Sequence, residues 1–441
     1  MTSPLIPLTR RVTTMPAGTA VHAASPNGSA LPLAAEHFGA SILYLLAGAV
    51  GLVWIAPELA MGAYASPHVA GVTHLFTLGW LTTTIFGALC QLLPVALGAP
   101  LRSTKLGHAS FWTFASGAGL FACGVADGST TLHHVGVGLV AVGIVLTVVN
   151  LGSSLARSRS RDVTWAAVCV ALVFLASTLV LGVVLLHNIH TGFLAAARIR
   201  VLAIHLHVAI VGWALLMIVG VSHRLLPMFL LAHGADNSWT KRSLIALATG
   251  VVVLGSGLAT ERGVLMWAGA AALEVGVGLF LWQAVSFYRV RVRKQLDVGM
   301  QFAATALAFL ATSAILGPVV LGRGAGHARL ATAYVVVGLL GGIVMYVAGF
   351  FYKIVPLLAW TARYRDRMGK GRVPTVAELF SARVARGQLV SMAAGVSLLG
   401  IGIGAGSSNV TRTGSMLFAA GVALFASQIA RIAFGVMRQR A

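Results

Sequence analysis

Long apolar stretches separated by short polar breaks follow one another along nearly the whole chain. Twelve of these stretches reach about 20 predominantly apolar residues, the length that a helix needs to cross a membrane. They predict an all-α, polytopic membrane protein with twelve transmembrane helices, called spans 1–12 below. Unbroken apolar runs exclude a transmembrane β-barrel, whose strands alternate apolar and polar residues. Residues 1–35 are rich in Pro, Ala, Ser and Thr, which predicts a disordered N-terminal tail.

The composition and the charge pattern also predict how the protein is oriented in the membrane. Of the 441 residues 58% are hydrophobic and 9% are charged, whereas soluble domains carry about 25% charge. The net charge of +21 would favour nucleic acid as the partner of a soluble protein. Here, however, the basic residues are concentrated in alternate loops, so we expect them to contact lipid headgroups and expect no nucleic-acid partner. They are Arg102, Lys105, Arg157, Arg159, Arg161, Lys241, Arg242, Arg289, Arg291, Arg293, Lys294, Arg363, Arg365, Arg367, Lys370 and Arg372.

The positive-inside rule places these loops in the cytoplasm, and Arg10 and Arg11 place the N-terminus there too. An even number of spans then returns the C-terminus to the same side. The sequence therefore predicts a multi-pass protein of the inner (cytoplasmic) membrane with both termini in the cytoplasm.

One helix recurs three times along the chain. The copies share two glycines that are eight residues apart and a proline further on, and the first two copies begin with histidine. The matched residues are His74, Gly79, Gly87 and Pro94; His207, Gly212, Gly220 and Pro227; and Val336, Gly341, Gly349 and Pro356. The copies lie 133 and 129 residues apart, close to the length of four membrane helices with their loops. This spacing predicts three pseudo-equivalent four-helix units, residues 36–160, 161–296 and 297–441, with the repeated helix as spans 2, 6 and 10.

The residue types of the repeat indicate what each position does. Glycines eight residues apart share one helix face, because the interval is about two turns, and they predict close helix packing. The prolines are expected to end or kink their helices, because proline removes an internal hydrogen bond.

Two histidines hold equivalent places near the predicted outer ends of spans 2 and 6. His207 lies about 10 Å inside Arg200 at 1.5 Å per residue, and His74 lies at a similar depth after Pro67. Two imidazoles at one depth can clamp a flat ligand, and neutral imidazole is a common metal ligand. The alternative for either histidine alone is an interhelical hydrogen bond. His205 lies about 200° around the helix from His207, so we expect these two rings to serve different sites.

Other polar residues of the predicted membrane region are weaker candidates. His187 and His190 are i,i+3 neighbours near the end of span 5 and could contribute to a copper or zinc site, as could His327 before span 10. Interfacial hydrogen bonding is the alternative for each. Glu274 in span 8 is either a proton-relay group or a neutral, hydrogen-bonded glutamic acid. The remaining histidines are His68, His133 and His134 toward the outer side and His22, His37, His108, His223 and His233 toward the cytoplasm.

Two further motifs carry a resemblance. Pro94-x-x-x-Gly98-Ala99-Pro100 precedes Ser110-Phe111-Trp112, and His205-x-His207 precedes Gly220 and Pro227. Together with three four-helix units, these motifs resemble the catalytic-subunit (subunit I-like) superfamily of the haem-copper oxidases and nitric oxide reductases, particularly its short NnrS-like relatives. The resemblance implies that His74 and His207 are the two axial ligands of one haem and that His205 faces a second haem. In that superfamily the His-x-His motif lies on helix 10, whereas here it lies on span 6.

The resemblance also implies a function. It predicts a membrane b-type haem protein that holds one haem b, or two, between spans 2 and 6 and handles electrons or a diatomic gas, O2 or NO, near the outer face. If the protein turns over a substrate, it is then an oxidoreductase of this superfamily's type. Span 7 lacks a His-His pair and Val336 stands where a ligand would be expected, so the superfamily's three-histidine copper centre is incomplete and copper binding is left open.

The electron donor would be a separate partner, quinol or cytochrome c, because the chain has no C-x-x-C-H attachment motif. Two alternatives belong to other classes of protein. One is a copper-handling or transport protein that kept the scaffold without haem, and the other is a structural accessory subunit. The sequence leaves the oligomeric state, or membership of a larger complex, open.

Overall fold

Twelve helices among the described residues, 30–232, 238–324 and 326–437 of this computed structural model, are long and apolar enough to cross a membrane. Spans 1–12 are Leu31–Trp54, Pro67–Ala96, Thr104–Asp127, Thr130–Ala156, Val163–Thr191, Ala195–Leu230, Ser238–Thr260, Gly263–Arg289, Val298–Arg323, Ala328–Arg367, Ala382–Ala405 and Ser408–Ala433. The same residues contain no β-strand. The predicted all-α, polytopic membrane protein is confirmed.

The first helix begins earlier than the sequence suggested. Helix Ala30–Trp54 includes residues 30–35, which the sequence analysis assigned to the N-terminal tail. Pro32 is compatible with the helix because the first turn has no internal partner for a backbone N–H. Residues 1–29, with His22, lie outside the described residues, and so does His233.

Spans 2, 6 and 10 each contain an eight-residue π-helical segment. The segments are Leu75–Thr82, Val208–Leu215 and Val337–Val344. They begin 133 and 129 residues apart, which is the spacing of the sequence repeat. Each segment starts directly after the first residue of its copy, namely His74, His207 or Val336. The copies therefore share an irregular backbone, and π-helical turns inside α-helices frequently accompany functional sites.

The glycines of the repeat bring each of these helices against the first span of its own unit. A Cβ atom on Gly79 would lie 2.4 Å from Tyr44 on span 1, and one on Gly212 would lie 2.7 Å from Phe174 on span 5. The packing role predicted for these glycines is confirmed. The corresponding contacts are Gly87 with His37, Gly220 with Ala167, and Gly341 with Phe309.

The prolines of the repeat lie inside helices. Pro94 and Pro227 lie close to the ends of helices Thr83–Ala96 and Leu216–Leu230. Pro356 does not end its helix, which continues to Tyr364.

A second glycine repeat, which the sequence analysis did not find, builds the other two spans of each unit. Spans 3 and 4, 7 and 8, and 11 and 12 pack against each other as helical hairpins. Each hairpin carries four glycines at intervals of 7, 12 and 7 residues. A Cβ atom on Gly136 would lie 2.3 Å from the backbone nitrogen of Phe121, and one on Gly269 would lie 2.3 Å from that of Leu254. The glycines thus permit backbone-to-backbone contact between the paired helices. They are Gly117, Gly124, Gly136 and Gly143; Gly250, Gly257, Gly269 and Gly276; and Gly395, Gly402, Gly414 and Gly421.

Spans 2, 6 and 10 form the centre of the bundle, and each contacts the other two. Three pairs of residues make these contacts: Trp213 with Thr82 at 3.0 Å, Ser222 with Tyr346 at 2.7 Å, and Trp80 with Phe351, whose ring centres are 4.8 Å apart. Span 1 packs against span 12, which closes the surrounding ring of helices.

An ion pair ties the predicted cytoplasmic ends of spans 5 and 6. The Asp162 carboxylate accepts a hydrogen bond from the backbone N–H of Trp165 at 3.0 Å, which caps span 5, and it also pairs with Arg224 of span 6. Burial alone would raise the pKa of Asp162. The Trp165 hydrogen bond and the charge of Arg224 outweigh burial, so the pKa lies below its usual value. Unit three repeats this arrangement with Asp297, which caps span 9 and pairs with Lys353.

We expect Asp162→Ala to lower the free energy of unfolding by about 1 kcal/mol, because it removes the helix cap together with the ion pair. Asp162→Asn keeps a capping oxygen and loses only a partly exposed pair, so its effect should be smaller, about 0–1 kcal/mol. Thermal unfolding of the two variants in detergent measures the difference.

The same carboxylate predicts a pH dependence of stability. Because the folded pKa lies below the unfolded pKa, ionised Asp162 stabilises the fold above the unfolded value, and this stabilisation is lost as the pH falls through the folded value. The gap in stability between the wild type and Asp162→Asn should therefore close in acid. A gap that widens as the pH falls would contradict the assignment.

Candidate functional site

The histidines at the start of the first two π-helical segments are held in the same way. Nδ1 of His74 lies 2.7 Å from the Ala70 carbonyl oxygen, and Nδ1 of His207 lies 2.8 Å from that of Ala203. A carbonyl only accepts hydrogen bonds, so Nδ1 carries the proton in each neutral ring. Nε2 is then the nitrogen with a free lone pair, as metal coordination requires.

The structure brings His74 together with His205 rather than with His207. The ring centres of His74 and His205 are 6.5 Å apart with an interplanar angle of 38°. His207 instead faces Tyr334 on span 10, with ring centres 6.3 Å apart and Nε2 3.4 Å from the phenolic oxygen. The prediction that His205 and His207 serve different sites agrees with this geometry. The prediction that His207 is the residue facing His74 does not.

The cause of the different pairing is the cyclic order of the three central spans. Each helix of a cyclic repeat presents one surface to the preceding copy and another to the following copy, so residues away from the central axis meet non-equivalent partners. His74, the first residue of its copy, therefore meets a residue two positions before the start of the next copy, His205. His207 meets Tyr334 by the same rule. The third pair by this rule is Val336 with Val72, which is apolar.

The pair of His74 and His205 has the separation that one iron atom requires. With a metal–nitrogen bond of about 2.0 Å and roughly 1.1 Å from nitrogen to ring centre, two imidazoles on opposite sides of one metal have centres about 6 Å apart. Nδ1 of His205 is buried and makes no hydrogen bond of acceptable geometry, although the backbone of Thr178 lies close to the ring. A ligand held by the ring would be one explanation for this nitrogen.

Mostly apolar side chains surround this pair. Phe121 of span 3 meets the His74 ring edge-on, with centres 4.9 Å apart, and Gly182 of span 5 leaves room beside His205. A compartment of about 80 Å³ lies between spans 2 and 6 and is walled by spans 3, 4 and 5. It adjoins a larger cavity of about 570 Å³, which His74, His205 and His207 also line. The smaller compartment alone is too small for a porphyrin, whereas the larger cavity has the size of a cofactor pocket. The separation of the two ring centres and the combined space fit a haem.

The larger cavity contains a second polar group of residues between spans 6 and 10. His207, Tyr334 and Glu274 all line it. A Cβ atom on Gly317 would lie 3.4 Å from Oε1 of Glu274 and 3.6 Å from the Tyr334 ring, so this glycine leaves open the space where the two side chains approach. Tyr334 was not singled out from the sequence. Tyr334 lies two residues before Val336, just as His205 lies two residues before His207. This repeated position could have identified it.

His327 and Arg200 lie at the predicted outer end of the same cavity. Nδ1 of His327 is 3.2 Å from the Arg323 carbonyl oxygen, and the residue is exposed. Arg200 pairs with Glu261 at 2.7 Å. His327, predicted as a metal ligand, therefore borders the cavity without joining another histidine in the described part of the chain.

The structure separates the other predicted pair, His187 and His190. The His187 ring packs beside Phe193, with centres 5.4 Å apart. His190 joins His133 and His134, and one ligand atom from each of the three residues lies within 4.8 Å of the others. His133 and His134 were predicted to lie on the outer side and were not predicted to be ligands. Their positions at the start of span 4, beside the end of span 5, were the available signal.

The remaining histidines satisfy ordinary hydrogen bonds. They are His68 with Glu58, His108 with Glu36, His37 with the Leu33 carbonyl, and His223 with the Gly220 carbonyl.

No family model matches the chain, and no curated protein is significantly similar to it.

Proposed function

We propose that this protein is a membrane b-type haem protein of haem-copper-oxidase ancestry that handles electrons or a diatomic gas, O2 or NO. The observation that carries the proposal is the 6.5 Å separation of the His74 and His205 rings beside an apolar cavity. In this proposal His74 and His205 would hold the haem, in place of the His74 and His207 pair that the sequence suggested.

The side chains around the site would fix the properties of the haem. The Ala70 carbonyl orients the His74 ring and raises the basicity of its Nε2. The apolar side chains of spans 2–6 exclude water and lower the local dielectric, and both affect the reduction potential. When bound, the haem would supply one-electron redox chemistry, and two histidine ligands suit electron transfer because they leave no open position.

The residues between spans 6 and 10 would serve proton transfer. His207, Tyr334 and Glu274 are the protonatable side chains that line this part of the cavity, and Nε2 of His207 can accept the Tyr334 hydroxyl proton in a hydrogen bond. Span 6 would then be the shared wall of two sites, one for electrons and one for protons.

The proposed setting is the inner (cytoplasmic) membrane, with both termini in the cytoplasm and quinol or cytochrome c as the electron donor. The basic loops support this orientation. Arg102 in the loop between spans 2 and 3 hydrogen-bonds to Ser153 near the end of span 4, so these two predicted cytoplasmic segments meet at one end of the bundle.

Optical spectroscopy combined with metal quantification tests the proposal. We expect the purified full-length protein to contain at least one haem b and one iron per chain and to show a Soret band. Absorption typical of six-coordinate, low-spin iron should accompany it. Protein without a Soret band would refute the proposal, and copper without iron would support the copper-handling alternative. Binding of carbon monoxide then distinguishes electron transfer from gas binding. A haem with two histidine ligands should not bind carbon monoxide, whereas a haem with an open coordination position should.

A further inference from the structure

Three imidazoles from two helices converge at the predicted outer end of the bundle, outside the haem site. Nε2 of His133 lies 3.0 Å from Nε2 of His190, and the rings of His134 and His190 stack with centres 5.0 Å apart. One ligand nitrogen from each of the three residues lies within 4.8 Å of the other two. None of the three lines the cavity of His74, His205 and His207.

The backbone holds these rings in place. His133 is buried at the start of span 4, where Gly124 of span 3 leaves space for its backbone nitrogen. Nδ1 of His134 lies 2.7 Å from the Thr130 carbonyl oxygen, so Nδ1 carries the proton and Nε2 keeps its lone pair. His190 lies in the last turn of span 5, and Asn188 accepts a hydrogen bond from the backbone of Leu194 at 2.7 Å to fix the turn that follows. His133 and His134 thus lie on the glycine-packed hairpin and His190 on the last turn of span 5, so all three rings are carried by helices rather than by loops.

A hydrogen bond between His133 and His190 does not explain why the His134 ring lies beside them. Two neutral imidazoles can share one N–H···N bond, but a third ring beside them adds a further lone pair and no opposite charge. A metal ion satisfies all three lone pairs. With bonds of about 2.0–2.1 Å, the nitrogens of a tetrahedral site lie roughly 3.4 Å apart, which small rotations of the exposed His134 and His190 rings can reach.

The donor set selects the metal. Three imidazoles and no carboxylate suit Zn²⁺ or Cu²⁺, whereas Ca²⁺ and Mg²⁺ require oxygen ligands. Three protein ligands leave a fourth position to solvent, because His134 and His190 are exposed. We propose that His133, His134 and His190 form a binding site for Zn²⁺ or Cu²⁺ at the membrane surface, independent of any haem.

Titration of the full-length protein with each metal alone tests this site. The protein is purified in detergent, freed of any polyhistidine tag, stripped with a chelator and titrated with Zn²⁺ by calorimetry. We expect one Zn²⁺ per chain. His134→Ala and His190→Ala should each weaken binding by at least about 10-fold, since even residues that only support a ligand cost 10–100-fold when removed. His187→Ala is the matched control, because His187 lies one turn before His190 and outside the cluster. It should bind as the wild type does.

A second titration with Cu²⁺ identifies the ligands directly. One equivalent should give an electron paramagnetic resonance spectrum with imidazole nitrogen coupling that weakens in His134→Ala and His190→Ala but not in His187→Ala. Haem content, measured on the same samples, should be equal in all variants, so that failure of this site and failure of the haem proposal are distinguishable. No binding of either ion by the wild type, or binding that survives both substitutions, would overturn the site.

Discussion

Replacing Gly136 by leucine is expected to prevent the protein from accumulating in a folded form. A Cβ atom at this position would lie 2.3 Å from the backbone nitrogen of Phe121, and a backbone atom cannot rotate away as a flexible side chain can. Spans 3 and 4 would have to separate along their contact. Overpacking a buried site already costs about 1–3 kcal/mol, and here the larger side chain meets backbone. Gly136→Ala, which adds only the Cβ atom, should fold with a clearly lowered melting temperature.

Gly138 provides the control for this prediction. It lies two residues further along the same helix, and a Cβ atom there would meet nothing within 4 Å. Gly138→Leu should therefore be tolerated, and Gly138→Ala should be neutral or slightly stabilising because alanine favours the helix more than glycine. Yield of monodisperse protein on size-exclusion chromatography and thermal unfolding in detergent measure the four variants. Equal behaviour of the two positions would show that the hairpin is not held by backbone contact.

Unit two repeats the comparison one third of the chain away. A Cβ atom on Gly269, the counterpart of Gly136, would lie 2.3 Å from the backbone nitrogen of Leu254, whereas one on Gly278 of the same helix would meet nothing within 4 Å. Gly269→Leu should fail and Gly278→Leu should fold, if the glycine intervals have the same meaning in each hairpin. If the two units behave differently, the glycine intervals recur in the sequence without having the same packing role.

These glycines show how much of the fold could be predicted from the sequence alone. Hydrophobicity predicted the twelve spans, because length and apolar content are local properties. The intervals of 7, 12 and 7 residues were equally visible in the sequence, yet they gain a meaning only when spans 3 and 4 are known to be partners. The early start of the first helix at Ala30 was missed for a different reason. A proline in the first turn looks like a helix breaker although it is compatible with that position.

For the candidate site, too, some features could be predicted from local sequence, whereas others depend on contacts between distant parts of the chain. The depths of His74 and His207 and the opposed directions of His205 and His207 follow from helix geometry. The partner of each ring depends on the order of spans 2, 6 and 10 around the centre, which no local pattern contains. The cluster of His133, His134 and His190 was missed because it joins the start of one helix to the end of another. The repeat suggested that equivalent histidines face each other, whereas in the structure His74 meets His205, two residues before its counterpart His207.

Removing either ring of the facing pair is expected to abolish a bis-histidine haem. His74→Ala and His205→Ala each delete one proposed axial ligand, and we expect haem content to fall by at least about 10-fold or the remaining iron to become five-coordinate. His207→Ala should keep both the Soret band and the low-spin spectrum, because His207 faces Tyr334 instead. This control is closely matched, since it makes the same substitution two residues away on the same helix and beside the same cavity.

The three variants also decide between the two ligand pairs. If His207→Ala loses the low-spin haem while His205→Ala retains it, the pair suggested by the repeat binds the iron, and span 6 must rotate from the orientation described here. If all three retain it, the iron lies elsewhere and the proposed site is wrong. Carbon monoxide gives an independent measure, because an iron that has lost one histidine gains an open position. Binding should appear in His74→Ala or His205→Ala protein that still holds haem, and it should be absent from the low-spin haem of His207→Ala.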